Sequence, residues 1–199
     1  MKKDGSYSKV TVFMQGLNLV SGIEVGHGGV WVGAAPEFLF IPKDADDKAG
    51  KPVVLLDGWG FHDTHETLNS FVWGPDGWLY GNHGVFTHSV VGKPGAPEAE
   101  RQKLNAGVWR YHPTRHVFEV FAEGTSNPWG LDYDAHGEFF NTACVIPHLY
   151  HILPGARYQR QAGQHFNPFT YDDIKTIADH AHYAGGRIHQ PVVDRKSTR

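Results

Sequence analysis

The sequence predicts an all-β protein, more specifically a β-propeller fragment of about two and a half to three four-stranded blades with a short C-terminal helix. The first observation is composition: 24 Gly accompany 12 Phe, 8 Tyr and 6 Trp among 199 residues. Aromatic residues favour strands, and glycine favours the tight turns between them. The other two observations are two sequence elements that each recur three times.

The first recurring element is an eleven-residue segment that aligns without gaps at residues 23–33, 71–81 and 131–141. Each copy reads as a strand, a glycine-containing turn and a second strand. In the middle copy, Pro75-Asp76-Gly77 is typical of a turn in which glycine takes a positive φ. The alignment places Gly29, Gly77 and Gly137 at the same position. The element therefore predicts three β-hairpins.

The second recurring element is an apolar strand that ends in a polar residue and a glycine, at residues 10–16, 52–58 and 117–124. The three final glycines are 42 and 66 residues apart. A repeat of about 40–50 residues is typical of propeller blades. The longer interval then requires an insertion, which we place in the polar loop 92–105. A β-sandwich with similar turns is the alternative interpretation.

We expect residues 1–193 to form one partial propeller domain, because 199 residues provide one sizeable core. An insertion at about 154–185 contains the predicted helix, Tyr171 to Ala181, with Thr170 and Asp173 as its capping residues. Residues 194–199 match a translated sequencing adapter and are expected to be an artefact, the alternative being a genuine polar tail. No signal peptide is visible, and the chain is expected to be a fragment of a larger protein.

Charge and cysteine content exclude several classes of function. The formal net charge is -3, with no basic patch, so nucleic acid is not expected as a partner. No apolar run approaches 18 residues, so this fragment is expected to have no membrane span. Cys144 is the one cysteine, which excludes an internal disulfide framework and any Cys-x-x-Cys motif. We expect Cys144 to be a buried apolar residue.

The densest group of chemically active residues is His62-Asp63-Thr64-His65-Glu66, just before the inner strand of the second blade. A histidine beside carboxylates can act as a general base, with His65 as the base and Asp63 and Glu66 as its partners. Two alternatives stay open. The group can be a solvated loop, or His62 and His65 can bind a divalent metal, although the spacing differs from His-Glu-x-x-His.

Loops that precede inner strands open onto the central channel of a propeller. Asn18, Asn69 and Asn127 recur in three such loops. They can surround a ligand, or they can serve the turns in which they lie. His83 and Trp129 are further candidate pocket residues, Trp129 as a stacking wall.

These residues resemble the soluble glucose/sorbosone dehydrogenase superfamily, in which a catalytic histidine precedes a strand, a Gly-Pro-Asp-Gly turn and a Leu-Tyr strand. Here His65 is followed by Gly74-Pro75-Asp76-Gly77-Trp78-Leu79-Tyr80. Asn127-Pro128-Trp129-Gly130-Leu131 is similar to the superfamily's element at the quinone cofactor. Over residues 9–183 the chain more closely resembles the membrane-bound dehydrogenases of planctomycete-type bacteria. The stretches that carry this closer resemblance are 63–70, 105–115, 124–131 and 158–168.

The resemblance implies a larger periplasmic or secreted protein in which helical repeats and a c-type haem module follow the propeller. It also implies oxidation of a sugar or alcohol with pyrroloquinoline quinone, with Ca²⁺ as a possible second cofactor and the haem c module as electron acceptor. His65 would remove the hydroxyl proton, and Asn127 would contact the quinone. Asn69, His83 and Trp129 are the further residues expected at the cofactor.

The chain departs from the superfamily at three places. Ser126 replaces the arginine that stacks on or pairs with the anionic quinone, and serine supplies neither charge nor a planar face. Residues 67–70 replace a Gly-Gly pair, and Asn82-His83 replace Gly-Asp. A second hypothesis is therefore a non-catalytic propeller that binds carbohydrate or supports an attached haem c domain. A third, a metal-dependent hydrolase or lyase, depends only on His62 and His65.

Overall fold

The computed structural model describes residues 4–7, 9–143, 148–160, 163, 165–167, 172–180 and 191–193. Within them, three antiparallel sheets follow one another along the chain. The first is a four-stranded meander in which each strand pairs with the next. Its strands are β1 (Val20–Gly26), β2 (Gly29–Ala34), β3 (Glu37–Pro42) and β4 (Val53–Leu56).

The second sheet is also a four-stranded meander, but a two-stranded hairpin interrupts it. Its strands are β5 (Asn69–Trp73), β6 (Leu79–His83), β9 (Gly107–His112) and β10 (Val117–Glu123). The hairpin consists of β7 (Ser89–Val91) and β8 (Gln102–Leu104). Two 3₁₀ turns, Thr64–Glu66 and Glu98–Glu100, precede β5 and β8. The insertion predicted at 92–105 is therefore the tip and second strand of this hairpin.

The third sheet has five strands in the order of the chain. These are β11 (Pro128–Tyr133), β12 (Phe139–Ala143), β13 (Leu149–Ile152), β14 (Ala178–His180) and β15 (Pro191–Val193). Residues 153–177 lie between β13 and β14. This interval contains most of the insertion predicted from the sequence.

The sheets are arranged as consecutive blades of a propeller. Strand β1 contacts β5, and β5 contacts β11, so the first strands of the three sheets lie side by side as inner strands. The predicted all-β class and the propeller-like fragment are confirmed. We call the end at which β1, β5 and β11 begin the channel end.

All three predicted hairpins form, and each contains a glycine with positive φ. The gap-free alignment was wrong by one residue in the first copy, where Gly28, not Gly29, has φ +79°. The first turn is shorter because His27 and Gly28 alone connect the paired residues Gly26 and Gly29. The glycines that end the second element, Gly16, Gly58 and Gly124, all have φ between 78° and 92°.

Two expected secondary-structure elements are wrong. Residues 10–14 do not form a strand, although Phe13 and Met14 pack against the first sheet. The helix expected from Tyr171 to Ala181 is replaced, within the described residues 172–180, by a bridge at Ile174 and strand β14. Ile174 exchanges backbone hydrogen bonds with the 157–159 segment, since its N–H donates to Arg157 O and its O accepts from Gln159. Tertiary pairing thus outweighs a local pattern that is too short for a stable isolated helix.

Cys144, Tyr171, Ala181 and the expected adapter residues 194–199 lie outside the described residues. Within the described part of the chain, no helix has the length and apolar character required to cross a bilayer.

Aromatic side chains and glycines form the contact between the first two blades. Phe71 and Trp109 of the second blade pack edge to face, 5.3 Å between ring centroids, and Phe38 of the first blade contacts both. Phe71 also lies on the glycine surface of the first blade, where an added Cβ at Gly22 or Gly33 would lie within 2.9 Å of its ring. The absence of side chains at these glycines lets the inner strands approach closely.

The contact between the second and third blades is formed by a second buried cluster. Tyr80 and Phe139 lie 4.3 Å apart between ring centroids, and Phe121 packs edge to face on Tyr80 at 5.1 Å. Leu131 and Tyr150 complete the cluster from the third blade. Burial of these apolar rings is the main force that holds consecutive blades together.

Replacing Trp109 with alanine should lower the free energy of unfolding by about 3–5 kcal/mol, since Trp109 is fully buried and its loss leaves a large cavity. Trp129→Ala is the matched control, because Trp129 is 46% exposed, and we expect a loss of about 0.5 kcal/mol or less. Urea unfolding followed by circular dichroism measures both. Equal losses in the two variants would contradict this account of the core.

Candidate functional site

The buried polar side chains of the described residues gather at the channel end. They lie in the loops before β5, β7, β9 and β11, at the starts of β5 and β7, at the end of β6 and in the middle of β12. They are Glu66, Thr67, Asn69, Asn82, His83, Thr87, Ser89, Asn105, Thr125, Ser126 and Asn141. A buried polar group costs free energy unless it is hydrogen-bonded. Their concentration at one end therefore identifies this end as the candidate site.

A chain of backbone hydrogen bonds connects the channel-end loops of the second blade. Gly84 donates to Glu66 O at 2.7 Å, Ala106 donates to Gly84 O at 3.1 Å, and Gly124 donates to Ala106 O at 3.0 Å. Gly84 is required for this approach, because an added Cβ would lie 2.1 Å from Glu66 Cβ. The loops around residues 66, 84, 106 and 124 are thereby held as one unit.

Asp63 and His65 form a hydrogen-bonded pair at the surface of this unit. Asp63 caps the 3₁₀ turn Thr64–Glu66: its Oδ1 accepts the backbone N–H of His65 at 3.1 Å and lies 2.6 Å from His65 Nδ1. The hydrogen bonds from the His65 backbone and ring lower the pKa of Asp63. The side-chain hydrogen bond to Asp63, and then its negative charge, raise the pKa of His65. The imidazole is exposed, so Nε2 is accessible from solvent.

Glu66 follows His65 directly but points into the protein. Its side chain is buried, and its Oε2 has no hydrogen-bond partner among the described residues. Burial, followed by the charge of Asp63, raises the pKa of Glu66 to about 7, an effect that the nearby backbone N–H of Val85 partly offsets. Glu66 can therefore hold or release a proton near neutral pH, unlike Asp63.

His83 lies beneath the loops and not in an open pocket. Its side chain is fully buried, with Nε2 3.1 Å from Thr87 O and 2.7 Å from Ser89 Oγ. Burial lowers the pKa of His83 to about 4, so the ring is neutral. Ser89 Oγ in turn accepts the N–H of Gly60, and Thr87 Oγ1 donates to Asp63 O. The network fixes the segment that carries Asp63.

Three asparagines of the site are fully buried, and two of them connect the second and third blades. Asn69 donates to Thr67 O and accepts from Ser70 Oγ, so it serves its own turn. Asn141 Nδ2 donates to Asn82 Oδ1 at 2.7 Å across the blade boundary. Asn18, which the sequence groups with Asn69 and Asn127, also donates to a backbone oxygen, that of Ala35.

The segment before β11 carries the residues that the sequence places at a cofactor. Asn127 Oδ1 and Thr125 Oγ1 are buried, and neither has a hydrogen-bond partner within the described part of the chain. Ser126 between them is fully buried. Trp129 is exposed and lies where a one-residue register shift interrupts the pairing of β11 with β12.

The backbone is irregular at the channel end of every blade. A register shift occurs near the start of β1, β5 and β11. This end also contains five non-glycine residues with left-handed φ, namely Leu19 (40°), Ser70 (54°), Phe86 (65°), Ala106 (68°) and Thr125 (75°). Bulges and strained residues concentrate at functional sites, so this is a second and independent indication of the site.

Described residues of the insertion contact the second blade beside the site. Residues 155–158 lie along the outer strand β10, with Glu123 N–H donating to Ala156 O at 2.9 Å. Arg157 Nε donates to Asp173 at 2.6 Å, and His165 Nε2 lies 3.3 Å from the same carboxylate. Arg160 donates to Asn105 O. Arg157 and His165 thus join two parts of the insertion through Asp173.

The structure brings Asp63, His65 and Glu66 together in one turn and places His83 and Asn69 beneath them. Asn127 and Trp129 lie on the neighbouring third blade. Sequence reasoning missed a second group of buried polar residues, namely Asn82, Asn105, Thr125 and Asn141. In the sequence, each of these is an uncharged polar residue inside an apolar strand or near a glycine. Because the same pattern is common in turns, it does not identify a buried site.

The site can be tested against the cofactors that the resemblance implies. Pyrroloquinoline quinone carries several carboxylates and requires cationic partners. The side chains of Ser126 and Asn127 are neutral, Arg160 Nη1 donates to Asn105 O, and Arg157 is paired with Asp173. Asp63 and Glu66 add negative charge. The described residues therefore do not fit an anionic quinone. Nor do three His, Cys, Asp or Glu side chains within this part of the chain converge as a metal centre.

Comparison with known proteins gives one family and a distant structural likeness. Among solved structures, the chain is similar to a protein from Thermus thermophilus provisionally described as an oxidoreductase (glucose dehydrogenase). The identity is 15%, the TM-score is 0.37, and the match covers 82% of this chain and 71% of that one. No curated protein matches the sequence significantly. The model of a family described as a domain of unknown function, DUF7133, matches residues 1–192, and the chain belongs to that family.

Proposed function

We propose that the chain is the propeller part of a periplasmic dehydrogenase that oxidises a sugar or alcohol. The observation that carries the proposal is the Asp63–His65 pair, exposed above a collection of buried polar side chains at the channel end. An oriented imidazole with one accessible nitrogen is suited to remove a hydroxyl proton. The sequence resemblance to glucose/sorbosone and membrane-bound dehydrogenases supports the same class of reaction and the periplasmic location.

In this proposal the substrate hydroxyl lies at His65 Nε2. Neutral His65 accepts the hydroxyl proton, while Asp63 holds the ring through Nδ1 and stabilises the imidazolium that forms. The carbon loses a hydride as its bond to oxygen becomes a carbonyl. His65 is neutral only above its raised pKa, so the rate should increase as the pH rises through that value.

The oxidation also requires a two-electron acceptor. A quinone is the acceptor that the resemblance implies, although Ser126 and Asn127 supply no cationic group for it. A haem c module remains our proposed partner for the onward transfer of electrons.

His65→Ala should lower kcat for dye-linked oxidation of D-glucose or a simple alcohol by about 10²–10⁴-fold, because the general base is removed. The assay uses the purified protein with pyrroloquinoline quinone and Ca²⁺ supplied. His136→Ala is the matched control, since Asp134 Oδ1 accepts the backbone N–H of His136 in a similar Asp-x-His turn at the opposite end. Equal turnover in His65→Ala and the wild type would refute the proposed base.

Asp63→Asn should lower the pKa of His65 towards its ordinary value, because the ring loses its carboxylate partner. Histidine Cε1–H chemical shifts followed by NMR from acidic to mildly alkaline pH measure this without an activity assay. Asp134→Asn is the control. A His65 titration unaffected by Asp63→Asn would mean that the pair does not form in solution.

A second candidate function, a non-catalytic propeller that binds carbohydrate, is favoured by Trp129. Large aromatic residues are usually buried, yet this indole is exposed at an irregular position of an inner strand. An exposed indole can stack on the apolar face of a sugar ring. The buried and neutral Ser126 is compatible with such a site because neutral sugars require no countercharge.

If this second function is correct, Trp129→Ala should weaken the binding of cellotetraose by about tenfold, the effect expected for loss of one aromatic contact. His65→Ala should leave the affinity unchanged, and no variant should show dye reduction. Isothermal titration calorimetry measures the affinities. Turnover that depends on His65 would decide against this candidate.

A further inference from the structure

Phe86 is a bulky residue of the candidate site in an unfavourable backbone conformation. It has φ +65°, a left-handed value that costs a non-glycine residue on the order of 1 kcal/mol or more. Its side chain is also 51% exposed, so it gains little from burial. The fold therefore gains little stability from a phenylalanine here, where glycine would be unstrained.

The loop that carries Phe86 is attached at both ends to the turn that carries His65. At one end, Gly84 N–H donates to Glu66 O at 2.7 Å. At the other, Thr87 Oγ1 donates to Asp63 O at 3.0 Å. Phe86 lies between Gly84 and Thr87, and His65 lies between Asp63 and Glu66. The two hydrogen bonds therefore hold both exposed side chains in one assembly.

In both the turn and the loop, an exposed ring is next in sequence to a buried residue. Glu66 and Val85 are both buried. Their neighbours His65 and Phe86 are exposed. Two exposed rings, the imidazole of the proposed base and the phenyl ring of Phe86, are thus carried by two loops that hydrogen bonds hold together.

We propose that Phe86 is a substrate-binding residue, the platform on which the apolar C–H face of a pyranose ring stacks while one of its hydroxyl groups lies at His65. The inference rests on the proposed dehydrogenase function and names the substrate class as a neutral saccharide. Aromatic faces attract polarised C–H groups, and the uncharged polar groups of this end suit a neutral hydroxylated ligand. The strained backbone is the cost of presenting this ring to the substrate.

Saturation-transfer difference NMR with D-glucose tests the contact directly. Selective irradiation of the aromatic resonances of the wild-type protein should transfer saturation to H1, H3 and H5, which share one face of the β-anomer. In Phe86→Ala this transfer should fall by at least half, and the affinity for D-glucose should fall about tenfold. Phe86→Trp should retain both. Tyr7→Ala, which removes an aromatic residue exposed elsewhere, is the control and should behave as the wild type.

A stability measurement separates loss of contact from loss of fold. Phe86→Gly relieves the left-handed strain, so its melting temperature should equal or exceed that of the wild type while D-glucose binding weakens as in Phe86→Ala. Failure of the wild-type protein to bind D-glucose, or unchanged binding by folded Phe86→Ala, would overturn the proposal.

The outcome is distinguishable from failure of the proposed function. Binding through Phe86 without dye reduction would refute the dehydrogenase and retain the saccharide site. Dye reduction with an unchanged KM for D-glucose in Phe86→Ala would retain the dehydrogenase and refute the role of Phe86.

Discussion

The structure depends on the close face-to-face packing of consecutive blades. Phe71 of the inner strand β5 lies on Gly22 and Gly33 of the preceding blade, and Trp109 supports it from behind. Because glycine offers no side chain, the inner strands can approach until the aromatic ring fills the gap between them. The same approach brings the starts of β1, β5 and β11 to one end. Aromatic packing between the blades therefore determines where the first residues of β1, β5 and β11 lie, and so where the site forms.

Several features of the channel end destabilise the folded state. Glu66, Thr125 and Asn127 each bury an oxygen that has no hydrogen-bond partner among the described residues, and Thr125 is also β-branched at φ +75°. Each such feature destabilises a folded protein on the order of 1–3 kcal/mol. The backbone hydrogen bonds that connect Glu66, Gly84, Ala106 and Gly124 hold these groups in place. The free energy gained by burying the aromatic clusters thus offsets the destabilising polar groups of the channel end.

The sequence predicts the repeated parts of the fold well, because they follow local rules. Turn glycines and alternating apolar residues were sufficient to identify three hairpins and their order. The burial of His83 was not predictable in this way, because every residue of β6 is buried and the strand lacks a solvent-facing side. The expected helix failed because Ile174 pairs with a distant segment, and Asn82 with Asn141 meet only across a blade boundary. The features that could not be predicted from the sequence are therefore those that depend on contacts between residues far apart in the chain.

The protonation of the site is a property of three coupled groups. Asp63, with its lowered pKa, is ionised throughout the neutral range, whereas Glu66 gives up its proton near pH 7. Because the folded pKa of Glu66 lies above its ordinary value of 4.5, folding binds a proton between these two values, and the stability contribution of Glu66 falls as the pH rises through them. Ionised Glu66 in turn favours the charged form of His65. The pH at which His65 becomes a base is therefore set jointly by Asp63 and the buried Glu66. Keeping the Glu66 carboxylate buried beside His65 lowers the stability of the fold at neutral pH.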